Sequence, residues 1–233
     1  MENRPEFVLR LATEKDIPAL DALIEASVRE LQAGDYTQAQ IEGALGTVLG
    51  LDTQLIRDGT YFVAEVEGEG SAPIGVPERC LSGAKAPVNS SSILRGLKAP
   101  PPSGPGFSGA KDAPIYRTLA GCGGWSKRRT LFGADRGPGR EPALLDPATD
   151  AAKVRAIFVY PGFARRGLGT LILAQVEAAA RAAGFRRFEM GSTLTGVPLY
   201  RLKGYVEVER IAVPLKNGEA LPVVRMVKDA GSA

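Results

Sequence analysis

A chain of 233 residues with 44% apolar and 24% charged residues is ordinary for a globular protein and long enough to bury a core. A net charge of +3 at pH 7 is too small to argue for a nucleic-acid partner, and the longest apolar runs fall short of the roughly 20 residues of a membrane span. The absence of histidine excludes His-based triads, His-ligated zinc and an imidazole base; Cys80 and Cys122 have no metal-ligand spacing, so no metal is expected.

Met1 to Glu6 lacks the apolar stretch of a secretory signal, and a cytoplasmic protein is the expectation. Phe7–Leu11 reads as a first strand. Asp16 is placed to cap a helix with Pro18 in its first turn, where a missing N–H costs little. Ile17, Leu20, Ile24, Val28 and Leu31 give that helix an apolar stripe until Gly34-Asp35 breaks it. Thr37-Gln38-Ala39-Gln40 has the form of a capping box and predicts a second helix running to about Gly50. Thr60–Val66 is β-branched and aromatic enough for a second strand.

Between Gly70 and Pro114 the composition shifts to eight Pro, seven Gly and seven Ser in 45 residues, with no helical or strand period. Structureless stretches of this length are uncommon inside compact domains. A disordered or loosely packed insertion, a functional lid and translated non-coding sequence are all consistent with 70–114. The expected organisation is one domain over 1–233 carrying that insertion.

Structure is expected to resume near Leu119. Ala120–Ser126 reads as a strand whose glycines permit close backbone approach or a bulge. Residues 136–150 read as a loop, and Val154–Tyr160 is the strongest strand in the chain. After a turn at Pro161-Gly162, Leu168, Leu171, Ile172, Val176, Ala179, Ala180 and Ala183 mark a helix closed by Gly184. A short strand at Arg186–Met190 follows, then a short helix over Val197–Lys203. Tyr205–Val213 and Leu221–Val227 are two last strands joined at Asn217-Gly218, a hairpin dipeptide.

Strand, glycine-containing turn and helix form a geometry in which backbone N–H groups converge on an anion. The first helical N–H groups lack partners, and the macrodipole adds roughly half a positive charge there. Arg165-Arg166-Gly167-Leu168-Gly169 supplies such a turn, with charge at the rim and no side chain at its glycines. A P-loop is excluded, because Gly162–Gly167 is followed by Leu168-Gly169 instead of Lys-Ser/Thr. A dinucleotide fingerprint is excluded because Ile172 stands where its third glycine belongs.

Ile157–Thr170 resembles the acetyl-coenzyme A motif of the GNAT superfamily of N-acetyltransferases, with Ala164 where that motif has Gln or Arg. Leu199-Tyr200-Arg201-Leu202-Lys203-Gly204-Tyr205 resembles the family's following aromatic–glycine segment, and the opening Leu9–Leu20 fits its usual start. The resemblance covers 7–67 loosely and 119–228 well. It implies an α/β (α+β) fold: a mixed, twisted sheet of about six or seven strands with helices on both faces, plus the insertion. It also implies two neighbouring strands that splay around the coenzyme's pantetheine arm.

By that resemblance acetyl-CoA is the cosubstrate and its acetyl group passes directly to a primary amine of a small molecule or peptide. Phe158 and Val159 would pair with the arm through their backbones. Arg165, Arg166, Gly167, Leu168, Gly169 and Thr170 would hold the pyrophosphate, and the Val159 amide would meet the oxyanion. Tyr200 aligns with the tyrosine that protonates the leaving thiolate. Glu65 and Asp58 are candidate bases that read more simply as surface carboxylates; Trp125 and Cys122 read as core. A non-catalytic acyl-CoA sensor is the alternative function, neither nucleic acid nor membrane is expected as a partner, and a homodimer is left open.

Overall fold

The structure, a computed structural model, describes residues 6–69, 81–82, 115–137, 140–229 and 231. β1 (Phe7–Leu11) leads through a single 3-10 turn into α1 (Ile17–Leu31), whose Leu20, Leu23, Ile24 and Val28 are buried at helical spacing. Asp16 does not cap α1 with its carboxylate. That group accepts from the backbone and hydroxyl of Thr13, at 2.7 and 2.9 Å, and from Arg10. α2 (Gln38–Ala44) opens with the expected box: Gln40 N–H donates to Thr37 Oγ1 (3.2 Å), and Thr37 N–H to Gln40 Oε1 (3.0 Å). It stops well short of Gly50, because the chain turns through Gly46 at φ +72° and re-enters a helix only at α3 (Thr53–Arg57).

β2 (Tyr61–Glu69), β3 (Leu81–Ser82) and β4 (Ile115–Ser126) follow. Apart from β3, the 70–114 segment lies outside the described residues. β5 (Ala152–Val159), α4 (Leu168–Ala182), β6 (Arg187–Thr193), α5 (Val197–Leu202), β7 (Val206–Pro214) and β8 (Ala220–Asp229) complete the order. Gly184 closes α4 at φ +96° and Gly218 turns the β7–β8 hairpin at φ +85°, both left-handed conformations that cost glycine little.

The sheet runs β1-β2-β4-β5-β6-β8-β7, with β3 pairing beside β5 on β4. All its pairings are antiparallel except β5 with β6, so it is mixed as the resemblance implied. One face packs on α1, α2 and α3 through Leu20, Ile41, Leu55, Val63 and Phe158. The other packs on α4 and α5 through Ala120, Leu168, Ile172, Val176 and Tyr200. Burial of these two apolar layers, at roughly 25 cal/mol per Å² of apolar area, is the main favourable contribution to the fold.

The β4 glycines set how closely α4 approaches. A Cβ on Gly121 would lie 2.8 Å from Ile172 Cδ1, and one on Gly123 would lie 2.7 Å from Ile172 Cγ2. Bare backbone here lets the first turns of α4 lie directly on the sheet beside β5.

Candidate active site

The parallel pairing of β5 with β6 extends over only two positions, Ala152 with Phe188 and Lys153 with Glu189. Beyond them the strands part, leaving an edge of β5 without a strand partner among the described residues. Glu189 pins the vertex, pairing with Lys153 of β5 and Arg225 of β8. Those two cations hold its carboxyl below the usual range, against a desolvation effect in the opposite direction.

Near the mouth of the opening Tyr160 donates its N–H to Ala120 O at 2.8 Å. Backbone direction alternates along an antiparallel ladder, so the N–H and C=O of Val159 point away from β4, to the side from which β6 has diverged. Phe158, one residue back, directs its backbone to Cys122 of β4. Of the two strand residues expected to meet the coenzyme, Val159 therefore presents its backbone to the opening and Phe158 does not.

The chain leaves β5 through a 3-10 turn, Pro161–Phe163, and passes Arg165 at φ +62° and Gly167 at φ +84°. Two left-handed residues so close together turn consecutive amides the same way. In α4 the first backbone bond is from Leu171 N–H to Gly167 O (3.1 Å), so among the described residues the amides of Leu168, Gly169 and Thr170 have no carbonyl partner. Gly167 and both arginines are exposed, and among the described residues neither Arg165 nor Arg166 is ion-paired. The expected cradle residues are thus gathered at one helix start. Gly169 also has a packing role that the sequence did not suggest: a Cβ there would lie 3.2 Å from Leu199 Cδ2 and 4.0 Å from Val159 Cγ2. Its missing side chain lets α5 and the end of β5 close on the helix.

Tyr200 sits on α5, buried in the α4-side layer and edge-on to Tyr205 at 5.8 Å. Gly196 makes room for its ring, since a Cβ there would lie 2.7 Å from Tyr200 Cε2. Burial pushes the Tyr200 hydroxyl well above the ordinary tyrosine range, so it holds its proton.

Neither candidate base is a surface carboxylate. Glu65 is 2% exposed and meets Arg10 at 2.7 Å, because the β1–β2 register sets Arg10 beside it. Asp58 lies 2.8 Å from Arg128, whose hydrogen bonds hold its carboxyl below the usual range. Both are committed to ion pairs. Trp125 packs edge-on against Phe185, and Cys122 is fully buried with its thiol pushed up to about 12 by desolvation, as core residues would be.

On the face opposite α4, a cleft of about 500 Å³ lies between α1, the segment 45–51 and residues 134–136. Ile24, Leu49 and Leu51 line it with Asp21 and Asp135. Burial, and then the Asp135 charge, raise the Asp21 carboxyl above its usual value. Sequence reasoning missed this cleft, since it joins three segments that carry no motif.

A mixed sheet opened between two adjacent parallel strands, with a free helix start at the mouth and a strand amide facing the opening, defines an acyltransferase of the acyl-CoA type. Residues 146–229 match the family model of the acetyltransferase (GNAT) domain. The fold is similar to a GCN5-related N-acetyltransferase from Rhodopseudomonas palustris: TM-score 0.54, 17% identity, covering 97% of this chain and 96% of that one. It is also similar to a ribosomal-protein-alanine N-acetyltransferase from Brucella melitensis (TM-score 0.50, 15% identity, 95% and 99% covered). A protein from Salmonella typhimurium described as an acetyltransferase, solved with its cofactor acetyl-CoA, gives TM-score 0.50 at 14% identity, with 98% and 96% covered. No curated protein matches the chain.

Proposed function

We propose that the protein transfers the acetyl group of acetyl-CoA directly to a primary amine of a small molecule or peptide. The observation that carries this reading is the Val159 amide, turned to the β5–β6 opening directly before a helix start with free N–H groups. The pyrophosphate rests on the amides of Leu168, Gly169 and Thr170, with Arg165 and Arg166 at its rim. The pantetheine arm enters the opening along β5, and the thioester carbonyl comes to the Val159 N–H.

Attack by the amine breaks the carbonyl π bond, and the N–H of Val159 meets the charge developing on oxygen. Collapse of the intermediate expels the coenzyme thiolate, which takes a proton from Tyr200, kept neutral by burial; the attacking nitrogen releases its extra proton to water, and water returns one to the Tyr200 phenolate. An alkyl ammonium of pKa near 10 must first lose a proton, which with Glu65 and Asp58 engaged passes to water. We assign the acceptor to the cleft on the α1 face, where the Asp21 and Asp135 carboxylates favour a cation.

The engagement of both carboxylates favours one competing reading, an acyl-CoA sensor without turnover. A thiol-release screen with acetyl-CoA over amines, polyamines, amino acids and peptides separates the two. Release with one amine class is expected; saturable acetyl-CoA binding with no release across the panel would select the sensor.

A further inference from the structure

The pairing of β4 with β5 slips by one residue: Gly124 faces Arg155, yet Cys122 faces Phe158. Two steps on β4 are matched by three on β5, so β5 carries one extra residue. Ala156 lies in that bulge with φ +52°, a left-handed conformation that residues other than glycine rarely adopt. If the Arg155–Gly124 register ran on unbroken, with every β5 residue paired, Val159 would face Ala120 and take the place of Tyr160, whose N–H is bonded to Ala120 O at 2.8 Å. The bulge is therefore what leaves the Val159 amide on the open edge.

The bulge is held from one side by a single hydroxyl. Tyr61, the first residue of β2, is fully buried and donates to Ala156 O at 3.0 Å. Gly124 makes room for its ring, since a Cβ there would lie 2.6 Å from Tyr61 Cδ2. The preceding residue, Arg155, is fixed separately by Asp52 at 3.0 Å, with both side chains 2% exposed. Arg155 and Tyr160 are thus anchored on either side of the bulge, and Tyr61 restrains the residue with the unusual backbone angle.

We propose that Tyr61 is a positioning residue for acetyl transfer: its hydroxyl holds the Ala156 carbonyl, keeps the extra residue in β5, and so aims the Val159 amide at the thioester. This rests on the acetyl-transfer reading above. The coenzyme's pyrophosphate is held elsewhere, on α4, so the hydroxyl affects the aim of the amide and leaves coenzyme affinity alone.

The test uses the full chain with Tyr61→Phe, Ala156→Gly and the double variant. In Tyr61→Phe, kcat for thiol release falls about tenfold, whereas the Kd for coenzyme A stays within twofold of wild type. Glycine accepts the left-handed angle without the restraint, so Tyr61→Phe/Ala156→Gly recovers most of the lost kcat. A second measurement needs no turnover: amide hydrogen exchange in the free protein. In wild type the Val159 amide exchanges faster than those of Phe158 and Tyr160, and in Tyr61→Phe that contrast shrinks. An unchanged kcat in Tyr61→Phe, or a loss of kcat and coenzyme affinity together, overturns the proposal. So does an exchange pattern identical in the two proteins, which decides the matter even if wild type releases no thiol with any amine and the transfer reading itself fails.

Discussion

At the scale of single residues the site uses backbone where charged side chains are usually sought. In the proposed transfer Val159 acts through its amide, and Gly167 and Gly169 through what they lack. Tyr200 is the exception. Its hydroxyl is pushed up by burial and so keeps its proton, which suits the acid role across the neutral range. Tyr200→Phe should lower kcat about a hundredfold or more, the usual reach of a general acid, and leave coenzyme A binding intact. Steady-state thiol release checks this, and an unchanged kcat removes Tyr200 from the mechanism. On the acceptor side, Asp21→Asn should raise the KM for a cationic amine about fivefold or more while leaving the KM for acetyl-CoA alone. Equal shifts in both constants, or none, would refute the assignment of the cleft.

At the scale of elements, ion pairs tie the start of α1 to β1 and the end of α3 to the segment after β4. Burial alone would raise the Asp16 carboxyl, but hydrogen bonds from Arg10 and Thr13 outweigh it and the net shift is downward. Hydrogen bonds from Arg128 lower Asp58 in the same way. A carboxyl lowered in the folded state contributes stability that is complete above its unfolded pKa and is lost as pH falls through the folded value. Stability should therefore be flat near neutrality and drop below about pH 4, with a shallower drop in Asp58→Asn. Chemical denaturation at a series of pH values checks the slope; equal slopes would mean that the pair adds nothing.

These pairs also show what the sequence conveys and what it does not. The Thr37–Gln40 box, the Gly184 cap and the Asn217-Gly218 hairpin are local devices with fixed spacing, and each was legible. The end of α2 was not, because left-handed Gly46 stops it where the apolar pattern continues through Leu45, Val48 and Leu49. Glu65 and Asp58 look like surface carboxylates until strand register sets Arg10 beside one and a loop brings Arg128 to the other. Register is a tertiary fact. The same holds for Ala156: inside an unbroken β-forming run, nothing marks it as the bulge.

At the scale of the whole molecule, the fold splits its labour between two faces. The α4 face has bare glycines in β4, a helix laid close on the sheet and a free helix start. The α1 face carries the cleft and the ion pairs. Among the described residues no helix is long and apolar enough to cross a membrane. The resemblance seen at Ile157–Thr170 and Leu199–Tyr205 lies within the matched GNAT segment, while the cleft proposed for the acceptor is built from 17–53 and 134–136, outside it. That division explains why the coenzyme was readable in the sequence and the acceptor was not. Coenzyme binding needs a fixed turn and helix start, whereas acceptor binding needs only suitable side chains from distant segments.

The central claim is that the start of α4, packed against Val159 and Leu199, holds acetyl-CoA. Calorimetric titration of acetyl-CoA into wild type and Gly169→Phe tests it most directly. A bulky ring cannot fit where a Cβ already lies 3.2 Å from Leu199, so it must push α4 away from α5 and β5. The account predicts saturable binding at one site in wild type and its loss in Gly169→Phe, with helix content by circular dichroism retained. Absence of binding in wild type, or equal binding in the two proteins, would contradict it.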